Sequence, residues 1–415
     1  MRELLREDFE RLNKDYLYVA KRKFNVELSN DITSAYISDV LISLYFEGHR
    51  TKSKLAISLV GSFIGQTVIQ EWGGYWVPES FSIKAVGINK IQVNPFSIAH
   101  QRLTKGVNKT IFEQLSSVAL KANNQDINEE LDNEKIQNVF NRLFDEGWWP
   151  LSIVYKKNLP NYVRHEMAYT LGLIGKYVKD QEYIKSKLYE LMKEKDTVYY
   201  ACVAFQNCLY PEFIDPIIQI IESNDYSNNI KAQAILALTG IKNDKQSEQK
   251  IIQFAQTKIL QIPNPLLKFY FGNLLGNFDN PSNINWIIQK IQDPTLDEIT
   301  KLALLVAIQL LRKKEFVQTL ISILMQNNTP TSVKDEIIKT LHLLPINEEI
   351  YNLLSKYNEF DMKNKVGFIN IVLFSDFKDK KELLSNLLSQ EKEPFVKSYI
   401  LSALDSISYD SNSIQ

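Results

Sequence analysis

The sequence has little of what usually carries recognisable chemistry. Its 415 residues include two cysteines and four histidines. Cys202 and Cys208 fall in one predicted helix, six residues apart, so they point about 120° away from each other at 100° per residue. A disulfide between them is not expected, and two thiols without nearby His or Cys do not make a zinc site. They read as small core residues. His49, His100, His165 and His342 have no His or Cys at ligand spacing, so no metal is expected. No phosphate-binding loop, nucleophile elbow, zincin motif or dinucleotide fingerprint occurs. No catalytic residue is identified and no cofactor is implied. Glycine and proline are scarce as well, 14 and 13 residues, as a helix-rich chain requires.

Charge of one sign is also missing. There are 48 basic and 49 acidic side chains, split 18 to 19 over residues 1–150 and 30 to 30 over residues 151–415. Nucleic-acid binding needs a basic footprint to displace counterions, and none shows at this level, so nucleic acid is not an expected partner. No apolar run approaches the ~20 residues that span a bilayer. The N-terminal MRELLREDFERLNKDY is charged and lacks an apolar signal core. No membrane association is expected, and the chain reads as cytoplasmic.

What the sequence does have is internal repetition. Val163-Arg164, Ile230-Lys231, Leu267-Lys268, Thr300-Lys301, Val333-Lys334, Asn364-Lys365 and Val396-Lys397 each open an apolar pattern with further members five and eight positions on. Another weak copy lies near Val198-Tyr199. From position 230 the steps are 37, 33, 33, 31 and 32 residues, and the step from 163 to 230 is 67, two such units. A step in the low thirties fits a helix–turn–helix unit. The partner helices read as Lys135–Asp145, Gln181–Lys195, Pro211–Ser223, Glu248–Leu260, Ser282–Gln292, Glu315–Gln326, Glu348–Lys356 and Lys381–Gln390. Each has apolar residues at three- and four-residue spacing. Ala168, Leu171, Ile235, Leu238, Leu305, Ile308, Leu401 and Leu404 are the expected core. The array should unfold cooperatively, weakest at its weak middle copies and its C-terminal edge.

Residues 1–121 do not follow the repeat. Helices are expected over Arg2–Lys23, Asp31–Phe46 and Lys54–Glu71. The third is apolar on most faces and therefore central, and Gly61 and Gly65 on it leave room for another backbone. Gly73-Gly74 ends it. Tyr75–Val77, Ser82–Ile88 and Lys90–Val93 read as strands with Asn89 at a turn. Asn94-Pro95 starts a helix, and Thr110–Lys121 closes the domain. The fold class expected is mostly α: an α-solenoid over 134–415, preceded by a small α+β domain over 1–121 and a polar linker over 122–133.

Val163-Arg164 followed by Ala168, Leu171 and Gly172 resembles the second helix of HEAT repeats (armadillo-type), and the resemblance covers residues 130–408. It implies that the second helices line a concave surface, with offsets +3 and +6 from the first apolar position facing outward. That places Glu166, Tyr169, Gln233, Tyr270, Asn273, Glu336, Lys339, Asn370, Tyr399 and Ser402 on a partner-binding face. Tyr and Asn suit adaptable recognition. The basic residue after the first apolar position reads either as part of a phosphate-binding stripe or as a structural ladder, and in that family it usually pairs with acids or carbonyls of the adjacent turn. Asp196, Asp297, Asp361 and Glu393 stand ready for it. The N-terminal segment from Gly61 to Gly106 resembles a small bacterial domain of unknown function through Gly61, Gly65, Gly74, Trp76, Pro95, Phe96, Arg102, Leu103 and Gly106. It implies a fold and no chemistry. The function expected is non-catalytic: a scaffold binding a protein, in a bacterial immunity or defence setting. The alternative is a nucleic-acid-binding or base-repair enzyme of the HEAT-like type, and His165-Glu166 looks like one His-Glu pair of the HEAT-type hydroxylases, which need several.

Overall fold

The structure is a computed structural model describing residues 2–77, 80–123, 126–148, 150–241, 244–324, 326, 328–341, 343–344, 354–355, 357–374 and 379–412. Its contacts define two compact units. The first is Met1–Ser223 with Gly240–Lys242, and the second is Asn224–Thr239 with Asn243–Gln415.

The first unit opens with α1 (Arg2–Phe24), α2 (Ile32–Tyr45) and α3 (Lys54–Trp72). Side-chain caps start two of them: Asp31 accepts from the Ser34 amide and Ser53 from the Ala56 amide. Val60, Phe63, Ile64, Val68 and Trp72 bury α3 in the core. Gly73 and Gly74 then stop it with φ of 64° and 126°, values that other residues avoid. Strands β1 (Tyr75–Val77), β2 (Ser82–Ala85) and β3 (Ile91–Val93) form an antiparallel sheet in that order. Trp76 pairs with Ile83 and Lys84 with Gln92. The second and third strands are shorter than the sequence suggests, because the residues between them are spent on a turn in which Asn89 and Lys90 both have positive φ.

The expectation that Gly61 and Gly65 admit a backbone is corrected. A Cβ at Gly61 would lie 2.3 Å from the Phe96 ring, and one at Gly65 would lie 2.3 Å from the Trp76 indole. The two glycines seat aromatic rings, which Phe9 completes.

Asn94 caps α4 (Pro95–Lys105), with Pro95 in its first turn. Helices α5 (Ile111–Asn123), α6 (Asn133–Asp145), α7 (Leu151–Val154) and α8 (Asn161–Gly175) follow. Then come α9 (Gln181–Lys193), α10 (Val198–Cys208) and α11 (Ile214–Glu222). Cys202 and Cys208 are buried thiols with no disulfide, and burial pushes both up to about 12. Helix α8 packs on α2, α7 and α10.

The second unit alternates first and second helices. The second helices are α12 (Asn228–Ala237), α14 (Pro265–Gly276), α16 (Glu298–Leu311), α18 (Thr331–Leu341), α19 (Met362–Phe374) and α21 (Pro394–Asn412). Each packs on the next. The first helices α13 (Lys245–Gln261), α15 (Pro281–Ile291), α17 (Val317–Leu324) and α20 (Lys380–Gln390) pack on the second helix that follows them. Most of the expected partner helix Glu348–Lys356 lies outside the described residues, as does His342.

Ala168, Leu171, Ile235, Leu238, Leu305 and Ile308 are fully buried. Leu401 is not, at 50% exposure, and Leu404 is only partly covered. In α21 the buried positions are Val396, Ile400 and Ala403. Offsets +5 and +8 face the following second helix, and among the described residues none follows α21. The chain is therefore mostly α and of the HEAT-like α-solenoid class, with a small three-stranded β element near its N-terminus.

Candidate partner-binding surface

Offset +3 does not face outward in every repeat. On α8 it is Glu166, which is buried and held by Arg102. Arg102 Nη1 lies 2.8 Å from Glu166 Oε1, and its Nε lies 2.8 Å from Asp39 Oδ1. Its Nη2 donates to the Asp39 carbonyl and to Ser43 Oγ, and Ser43 donates on to Glu166. Backbone amides satisfy the remaining lone pairs. Val107 donates to Glu166, while Ile111 and Phe112 at the start of α5 donate to Asp39. Two carboxylates and one guanidinium leave one excess negative charge, and the amino end of α5 faces it. Burial pushes the Asp39 carboxyl up; Arg102 and the two amides pull it back.

This cluster explains the Arg102-Leu103-x-x-Gly106 spelling. Gly106 has φ of 67°, and a Cβ there would meet Glu166 Oε2 at 2.3 Å. Glu166 is thus a core ion, and its assignment to a partner face is corrected. Sequence reasoning missed Asp39 and Ser43. Their only signal was polarity inside α2, a polarity they share with Thr33, Ser34 and Ser38. Tyr169, at +6, is half-buried and donates to Glu113 Oε1 at 3.4 Å.

In the second unit, Gln233 at +3 on α12 is buried as well, so it too is withdrawn from the face. Tyr270 and Asn273 on α14 are half-buried. Glu336 on α18 is half-buried; it accepts from Gln309 of α16 at 2.7 Å and from Lys339 at 2.9 Å. Lys339 is exposed. Tyr399 on α21 donates to Asn370 Oδ1 on α19 at 2.8 Å. Ser402 is exposed. Glu336 and Tyr399 thus bridge to neighbouring second helices, whereas the bonds of Asn273 and Lys339 stay within their own helices.

The exposed apolar surface lies beside them, at offsets the sequence reading passed over. Leu266 (49% exposed) and Phe269 (37%) stand at −1 and +2 on α14, and Ile299 (36%) and Leu310 (46%) at −1 and +10 on α16. The two helices approach closely because Gly272 lies over the Ala303 carbonyl and Gly276 over Leu310. All four are large apolar side chains exposed on two neighbouring, packed helices.

Three residues of the basic series are tied internally. Arg164 is buried, donates from Nε to the Val154 carbonyl at 2.8 Å and stacks on Tyr200. Lys268 Nζ lies 2.8 Å from Asp297 Oδ2, and Lys365 Nζ 3.1 Å from Glu391 Oε1. The acid for Lys365 is thus Glu391, two residues before the expected Glu393. Lys231, Lys301 and Lys334 are half-buried and Lys397 is exposed. Among the described residues no group of three or more His, Cys, Asp or Glu is placed to hold a metal ion, and no helix is long and apolar enough to cross a membrane.

No family model and no curated protein matches the sequence. Two of the solved structures that match are similar over most of this chain. Kap121p is 14% identical with a TM-score of 0.38, over 97% of this chain and 49% of that one. Kap121p bound to Nup53p is 12% identical with a TM-score of 0.38, over 89% and 45%. The chain spans about half the length of these solved chains.

Proposed function

We propose that this chain is a non-catalytic scaffold that binds another protein through the outward side of its second helices. The observation that carries this reading is the group of exposed apolar side chains, Leu266, Phe269, Ile299 and Leu310, on the closely packed α14 and α16. Polar and half-buried aromatic neighbours, Tyr270 and Asn273, supply the adaptable rim that interfaces use. We place the scaffold in the cytoplasm and in a bacterial immunity or defence setting. That setting rests on the pairing of a repeat binder with the N-terminal segment that resembles a small bacterial domain. The division into a domain at 1–121, a linker at 122–133 and an array from 134 belongs to the same proposal.

The test is quantitative affinity purification from native cells with three baits: wild type, Leu266→Glu/Leu310→Glu, and Lys245→Glu as a surface control. A stoichiometric protein retained by wild type and the control, and lost with the double variant, is expected. No stoichiometric partner, or one indifferent to the double variant, would overturn the assignment of the face. Gene neighbourhood tests the setting: adjacent genes that encode only housekeeping functions would remove it. Nucleic-acid binding is tested by titrating duplex DNA across salt concentrations, where the scaffold reading expects no binding at low salt.

A further inference from the structure

Between α1, α2 and α3 lies an open pocket of about 210 Å³. Val19 and Phe24 of α1, Ile42 of α2 and Leu59 of α3 form its walls, and Tyr45 and Leu55 stand at its rim, 49% and 64% exposed. No charged side chain lines it, and the polar ones are confined to two tyrosines and Ser53. The hydroxyl of Ser53 is occupied, since it caps α3 by accepting from the Ala56 amide. A large exposed Leu over an apolar cleft leaves surface that water covers poorly.

The mouth is different in kind. Ser53 and Leu55 line the pocket, and the residues interleaved with them are cations. Arg50, Lys52 and Lys54 are all exposed, and over 47–58 they face a single acid, the exposed Glu47 next to the lining Phe46. Among the described residues none of the three forms an ion pair; Arg50 stacks on Tyr162 instead. An apolar cleft whose lining Ser53 and Leu55 are flanked in sequence by exposed lysines suits a molecule with the opposite layout, an apolar tail and an anionic head. Its volume is below the roughly 300 Å³ at which pockets for drug-sized ligands begin, which suits one linear chain.

We propose that this pocket binds a single-chain anionic amphiphile, its aliphatic tail between α1, α2 and α3 and its carboxylate or other anionic head at Lys52 and Lys54. The site is separate from the second-helix face and does not depend on it. Binding would bury Leu55 and the tail together, and affinity should rise with tail length until the pocket is full.

Isothermal titration of the full chain with sodium decanoate, below its micelle threshold, tests this directly. Saturable one-to-one binding is expected, with octanoate weaker by on the order of tenfold for its two missing methylenes. Lys52→Glu/Lys54→Glu changes only exposed residues and should lose decanoate at least tenfold while still taking up neutral decanol. Ala56→Phe, which fills the cleft, should lose both, with its fold checked by circular dichroism. Decanoate uptake that does not saturate, equal affinity for decyltrimethylammonium, or an unchanged Lys52→Glu/Lys54→Glu variant would overturn the proposal. So would retention on anionic phospholipid vesicles without any binding of monomeric decanoate.

Discussion

Leu238 and Lys231 sit seven residues apart at the start of the second unit, one fully buried and the other half-buried. Leu238→Ala removes a core side chain and should cost ~2–5 kcal/mol by urea denaturation. Lys231→Ala should cost on the order of 0–1 kcal/mol. Equal damage from the two would mean that the repeat register is wrong. Arg102 presents the opposite case, a polar residue that behaves as core. Arg102→Ala leaves two buried carboxylates facing each other without their shared cation, and a loss of about 3–5 kcal/mol is expected. Should Arg102→Ala unfold no more easily than a surface variant, the buried cluster does not hold the fold. Residue identity alone does not separate these two behaviours. Lys231 and Arg102 are both cations on amphipathic helices, and what distinguishes them is whether Asp39 and Glu166 converge from other helices. That convergence is a long-range fact, separated by 63 residues on one side and 64 on the other, and no local pattern carries it.

Helices were legible where periodicity and caps agreed. Asn94 caps the helix whose start the sequence places at Asn94-Pro95, and Asp31 and Ser53 cap the two helices expected near 31 and 54. Glycines inside helices were harder, because the reason for a missing Cβ lies on another element. Gly272 shows this. Alanine is normally better than glycine in a helix by roughly 1 kcal/mol. Here the added Cβ would fall 2.0 Å from the Ala303 carbonyl oxygen, so α14 and α16 must separate. Gly272→Ala should therefore destabilise by about 1–3 kcal/mol in a denaturant titration, and a stabilised variant would refute the close crossing. The starts of the second helices carry the unit's acid sensitivity. Burial raises the Glu391 carboxyl, but the Glu393 amide, the Tyr357 hydroxyl and Lys365 outweigh it and bring it to about 2. Asp297 is likewise about 2, with burial opposed by Lys268 and Thr300. A folded-state value below the unfolded one means stability present above about pH 4.5 and lost as pH falls toward 2. Glu391→Gln should flatten that loss, measured as the denaturation midpoint across this window.

At the scale of the whole molecule, the repeat period predicted the class of fold, while the compact units followed from side chains that period does not specify. Glu166 counts as an array position by sequence and as part of the first unit's core by contact. The outward face was misjudged for a related reason. Offsets +3 and +6 of an isolated helix pair point to solvent, but Glu166 and Gln233 are buried and Glu336 and Tyr399 bond a neighbouring second helix. Lys339 and Ser402 stay exposed, and apolar exposure lies at −1, +2 and +10. The two units also make a prediction about unfolding, and tryptophan placement allows it to be read. Trp72, Trp76, Trp148 and Trp149 belong to the first unit, and Trp286 alone to the second. Fluorescence of Trp286→Phe therefore follows the first unit, and its difference from wild type follows the second. Each unit has its own buried core, so two transitions are expected in urea. Arg102→Ala should lower the midpoint of the first and leave that of the Trp286 signal in place, whereas Leu305→Ala, which opens a cavity between repeats, should do the reverse. If either substitution shifts both signals equally, the chain folds as one cooperative block and the stability of the array is inseparable from that of the N-terminal helices.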